Sequence, residues 1–259
     1  MRYPLAQLRV ALTTQLVEED DMNRNHSGVR IGNSGLGAGL GLGFLLAVAS
    51  VGSARTQATG EAEPSLQITA RVYNYAVVSR GTLLGAERES SRIFREAGVE
   101  VEWLDCPTSH AEEEKYPGCQ APLGAMAVDL RVVPASMAER LRSNGEEAGM
   151  ALASGRAGSA SAAWVFYQRV EELAESRVAA PSQILGHAIA HEIGHLLLGP
   201  NSHARTGIMR GNWNRKYLQE ASCGQLLFTR DQAERIRAEV STRIRMQQAK
   251  ALPETAARK

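Results

Sequence analysis

Scarce net charge, aromatics and histidine each exclude or concentrate a kind of chemistry in this sequence. Its net charge is only +1, and no basic stripe with interleaved aromatics is present, so nothing marks a nucleic-acid partner. Aromatic residues make up 5%, which leaves few side chains for a broad apolar specificity pocket. No internal repeat is present, so a stacked-repeat architecture is excluded. Histidine is also scarce, with 6 in 259 residues, yet four of them fall between His187 and His203. The ordinary apolar share of 44% and the plentiful charge describe a globular chain.

Cysteine is limited to 3, and its placement depends on the N-terminus. Residues 35–54, GLGAGLGLGFLLAVASVGSA, are uncharged and apolar. Arg24, His26 and Arg30 precede them, and small residues followed by a polar stretch come after. That order predicts a secretory signal peptide over residues 22–58. The acidic VEEDD before it makes residues 1–21 an expected upstream extension, and residues 59–64 a short linker. The expected location is secreted or periplasmic; the alternative is an anchored protein with an extracytoplasmic domain. Contact with a membrane is expected only if the apolar segment is retained. No cysteine stands at its exit to take a lipid. In an oxidising compartment Cys106 and Cys119, bracketing PTSHAEEEKYPG, are candidates for a disulfide, with about 3 kcal/mol from closing the loop. Cys223 is left over, and three single bridges are possible in principle.

The regular patterning starts at Ser65. SLQITARVYNYAVV alternates, with Leu66, Ile68, Ala70 and Val72 on one face, which predicts a strand. Leu83, Leu84, Ile93 and Phe94 recur at helical spacing before Gly98, which predicts an amphipathic helix. Further strands are expected at residues 99–105 and 126–133, followed by a short helix opened by Pro134. GMALASG, flanked by glycines, suits an edge strand containing Gly149, Met150, Ala151 and Leu152. Residues 161–170 form a fifth strand candidate whose tail has helical character. PSQILGHAIAHEIGHLLLG opens with Pro181-Ser182 and stops at Gly199-Pro200, a long helix. An irregular stretch follows, then a final helix opened by the capping box TRDQ. The folded domain is expected over residues 65–246, with a disordered tail at 247–259.

The histidines carry the chemistry. His191-Glu192-Ile193-Gly194-His195 reads HExxH. Two histidines four apart lie one turn apart on one helical face, so both rings can reach one metal ion, and Glu192 projects beside it as a base for a water. Zinc suits two neutral imidazoles, and a catalytic zinc takes three protein ligands and keeps a position for water. His203, just past the Gly-Pro break, is the candidate third ligand; a later carboxylate, Glu220, is the alternative. His187 is either a donor behind the site or a core histidine.

This segment resembles the metzincin metallopeptidases within the zincin class, which carry HExxHxxGxxH followed by a methionine in a tight turn. Here the spacing is HExxHxxxGxxxH: the glycine falls one residue late and the third histidine two. The resemblance implies zinc ligands His191, His195 and His203, general base Glu192, and Met209 in a Met-turn below the metal. It implies an α+β, zincin-like fold: a twisted, mixed five-stranded sheet with an antiparallel edge strand, an active-site helix and a C-terminal helix. The edge strand would pair with an extended peptide or protein substrate. Tyr217 is a candidate for assisting the transition state, with packing, alongside Trp213, as its other reading. No cysteine lies between the apolar run and the first strand to block a metal site.

Two functions follow from this reading. One is a secreted zinc metalloendopeptidase in which a zinc-activated water attacks the peptide bond and Glu192 takes its proton. The other is a non-catalytic or single-target metal-binding module at the cell surface on the same scaffold.

Overall fold

In the computed structural model, residues 65–141, 148–152, 161–199 and 201–251 are described. The readings for residues 1–21, 22–58 and 59–64 lie outside them. The elements are strand β1 (Gln67–Asn74), helix α1 (Arg80–Glu96), β2 (Glu100–Cys106), α2 (Pro117–Gln120), β3 (Ala127–Val133), α3 (Ala135–Arg140), β4 (Gly149–Leu152), β5 (Ala162–Phe166), α4 (Tyr167–Ala174), α5 (Pro181–Leu198), α6 (Arg215–Ser222) and α7 (Arg230–Ala251).

The strands form one mixed sheet in the order β2-β1-β3-β5-β4. β1 is parallel to β2 and β3, and β3 is parallel to β5. β4 alone runs antiparallel, pairing Met150 with Trp164 and Leu152 with Ala162 at the sheet's edge. Alternation explains which face is buried. Ile68, Ala70, Val72, Val128, Leu130, Val132, Ala163 and Val165 are at most 2% exposed and form the floor of the core. Helices α1 and α5 pack against each other over this floor.

Local chemistry starts each helix. Ser79 caps α1 by accepting from the Thr82 N–H at 3.2 Å. Pro181 opens α5, and the Gln183 side chain accepts from the Ala180 N–H at 3.0 Å. At α7 the expected capping box forms: Gln232 accepts from the Thr229 N–H, and Thr229 from the Gln232 N–H.

Several expectations are corrected. Leu84 is exposed, because the buried face of α1 runs through Leu83, Ala86, Ser90, Ile93 and Phe94 instead. The fifth strand ends at Phe166, and its tail takes the helical form that its sequence allowed, as α4, to bury Val170 and Leu173. The expected irregular stretch contains α6, capped by Asn214. Helix α7 continues to Ala251, so the boundary expected after residue 246 falls inside it; residues 252–259 lie outside the described residues. The Cys106–Cys119 disulfide forms, and Cys223 is free and exposed. Between the bridged cysteines the chain makes a 3-10 turn at His110–Lys115 and then α2. Arg71 of β1 ties this loop to the sheet by donating to the carbonyls of Cys119 (3.2 Å) and Ala121 (2.6 Å). Among the described residues no helix is long and apolar enough to cross a membrane.

Candidate metal centre

Helix α5 is buried along almost its whole length, so its polar residues stand out. His191 and Glu192 are each 4% exposed. Gly199 ends the helix with φ +87°, a left-handed conformation that a side chain disfavours. The chain then turns back and brings His203 to the same end of α5. The metal-ligating atoms of His191, His195 and His203 all lie within 4.8 Å of one another. Nε2 of His195 sits 3.0 Å from Nε2 of His191 and 3.2 Å from Nε2 of His203. From His191 to His203 the cluster grades from buried to exposed, so one side of it is open to solvent.

The outer ring nitrogens explain the aim of the inner ones. Nδ1 of His191 lies 2.8 Å from the Ile208 carbonyl, which can only accept, so this nitrogen carries the proton and donates. Nδ1 of His195 lies 2.8 Å from the Ser202 hydroxyl. Burial, reinforced by the neighbouring imidazoles, pushes His191 down to about 4 and His195 to about 3. Both rings are therefore neutral at neutral pH. His191 then presents a bare lone pair on Nε2 only 3.0 Å from another imidazole nitrogen. Such a contact is repulsive unless a cation or proton stands between the two.

Zinc fits this donor set. Tetrahedral coordination with bonds of about 2.0–2.1 Å puts neighbouring nitrogens about 3.3 Å apart. The second ring nitrogens of His191 and His195 are already held by a carbonyl and a hydroxyl, the usual support for metal-ligating histidine.

Met209 is fully buried. Its sulfur would stand 2.8 Å from a Cβ added at Gly194, so the glycine of HEIGH is what lets the turn pack directly beneath the helix. The Ala204 N–H donates to the Met209 carbonyl at 2.8 Å and closes the loop that follows His203. On the other side of the site lies β4. A Cβ at Gly149 would stand 2.6 Å from Cγ and 2.8 Å from Cδ of Glu192, and would also strike the Trp164 carbonyl. The edge strand thus rests directly on the Glu192 side chain; Met150, Ala151 and Leu152 continue it along the sheet's edge.

Three other candidates fall elsewhere. Glu220 is engaged by Arg210 at 2.5 Å, which leaves His203 as the third member of the cluster. His187 points away, toward α1: its Nδ1 bonds the Gln183 carbonyl at 2.8 Å and its Nε2 is 3.6 Å from Glu89. Each four-residue step rotates a helix by about 40°, so His187 and His195 diverge by about 80°. Tyr217 is fully buried and its hydroxyl donates to the Ile208 carbonyl at 3.3 Å, so it does not face an open cleft. Burial raises its pKa well above the usual phenol value.

Sequence reasoning did not find Ser202, the Ile208 carbonyl or the contact of Gly149 with Glu192. Ser202 carried a weak signal as a hydroxyl beside His203. The other two have none, since a backbone acceptor and a missing side chain leave no mark in residue type.

Fold and site together define an α+β protein with a three-histidine donor cluster built on one helix and the loop that returns beneath it. No protein-family model and no curated protein matches the chain. Among solved structures it is similar to the crystal structure of archaemetzincin from Methanopyrus kandleri. The TM-score is 0.42 and the identity 13%, over 70% of this chain and 99% of that one. A likeness at that level sets no function.

Proposed function

We propose that this chain is a metzincin-like zinc metallopeptidase. The observation that carries the proposal is the convergence of three imidazole nitrogens, two contacts measuring 3.0 and 3.2 Å, with Glu192 next in sequence to His191. His191, His195 and His203 would hold the ion, and Met209 in its tight turn would support the site from below. Zinc held there supplies Lewis acidity, which acidifies water and polarises a carbonyl.

The chain's own residues do the rest. Glu192 serves as general base, taking the proton from the attacking water and passing it to the leaving amine. Strand β4 offers its outer edge, which no other described strand pairs, to an extended peptide. That arrangement would lay the scissile bond beside Glu192, because β4 begins against its side chain. We further propose an extracytoplasmic location, supported by the Cys106–Cys119 disulfide.

Glu192→Gln tests the mechanism. The substitution keeps the shape and removes the base. Metal analysis should show about one zinc per chain in wild type and variant alike, while peptide-library turnover falls by about 10²–10⁴-fold. Full turnover in Glu192→Gln would reject the mechanism. Zinc bound without turnover by the wild type would instead favour the binding-module reading.

A further inference from the structure

We infer that Tyr217 and Trp213 are positioning residues for the metal centre, acting through the Ile208 carbonyl on His191. The inference rests on the metal-binding reading above and extends it to α6.

A carbonyl oxygen has two lone pairs. At Ile208 one accepts from Nδ1 of His191 at 2.8 Å and the other from the Tyr217 hydroxyl at 3.3 Å. The peptide that orients the ligand is therefore itself pinned. The pin is rigid because Tyr217 is fully buried and its ring is gripped on more than one side. Trp213 stacks on it with centroids 4.5 Å apart and planes 27° from parallel. The Arg210 guanidinium lies 5.1 Å from the ring centre and is itself held by Glu220 at 2.5 Å. Trp213 also meets the His191 ring edge-on, 6.1 Å between centroids. Asn214 fixes the start of α6 by accepting from the Tyr217 N–H at 3.0 Å.

One indole thus touches both the ligand and the residue that pins the ligand's partner. Without the hydroxyl, the Ile208 peptide can tilt and the His191 ring can turn about its Cβ–Cγ bond. Nε2 then leaves the point where the three nitrogens meet. The fold loses little, since a phenylalanine fills the same space.

The test is zinc affinity, measured by chelator competition, in wild type, Tyr217→Phe, Trp213→Leu and Trp213→Phe. The melting temperature of each metal-free protein and the visible spectrum of each cobalt-loaded protein are recorded alongside. Tyr217→Phe should bind zinc about 10–100-fold more weakly, the usual loss when support behind a ligating histidine is removed. Its metal-free melting should be unchanged and its cobalt bands shifted. Trp213→Leu should weaken zinc in the same direction, and Trp213→Phe, which keeps a stacking ring, should restore most of the affinity. Should Tyr217→Phe fail to fold, the two variants at the half-buried Trp213 carry the test. Wild-type affinity and an unchanged cobalt spectrum in both Tyr217→Phe and Trp213→Leu overturn the inference while leaving the metal centre standing. So does an affinity loss matched by an equal loss of metal-free stability. A wild type that binds no zinc overturns both.

Discussion

His191 and His195 each divide their work between two nitrogens. The outer nitrogen is spent on Ile208 or Ser202, and this frees the inner one of His191 and of His195 to face the cluster. Elsewhere a single buried group sets a pH dependence. Glu87 of α1 is 7% exposed, and its Oε1 has no hydrogen-bond partner among the described residues. Burial, helped by Asp105 and opposed by Arg88, pushes this carboxyl up to about 7. An unfolded glutamate titrates near 4.3. The folded chain therefore holds a proton that the unfolded chain releases, and the stability this confers is complete below about pH 4 and lost as pH rises through 7. Between pH 5 and pH 8 the buried neutral His191 and His195 gain stability in the opposite sense, so the measurement is the difference between wild type and Glu87→Gln in urea unfolding. The wild type should lose on the order of 2 kcal/mol relative to the variant over that range. An unchanged pH dependence in the variant would mean that the carboxyl is hydrated.

At the scale of elements, what was legible followed from periodicity. The HExxH pair needed only the helical repeat, and α5 was bounded by Pro181 and Gly199. The strands showed through alternation in QITARVYN and AVDLRVV. Helix α6 did not show. Its eight residues, RKYLQEAS, bury only Tyr217, Leu218 and Ala221, and that short stripe follows an irregular run. The role of β4 was legible as an edge, but its contact with Glu192 was not, because it joins residues 43 apart through a missing side chain. That contact yields a prediction for Gly149→Ala. The added methyl meets Glu192 Cγ and the Trp164 carbonyl, so it must displace the Glu192 side chain or the strand. Turnover should fall at least about tenfold while zinc affinity stays within about twofold, since no histidine is touched. Equal losses in both would show that the strand supports the whole site rather than Glu192.

At the scale of the molecule, one sheet face carries the core and the helices that build the site. The far side of β1 carries Arg71, which holds the disulfide loop in place. The three-histidine cluster draws on distant chain segments only weakly: two members share α5 and the third follows eight residues after His195. That is why its outline was readable from one stretch of sequence. Its supports at Ile208, Trp213 and Tyr217 come from beyond a turn whose path only the fold defines.

The proposed chemistry requires that this cluster holds zinc. Anomalous diffraction at the zinc absorption edge, on crystals of the zinc-loaded protein, tests it most directly. One strong peak is expected about 2.0–2.1 Å from Nε2 of each of His191, His195 and His203. A zinc peak elsewhere, or none at this cluster, would contradict it.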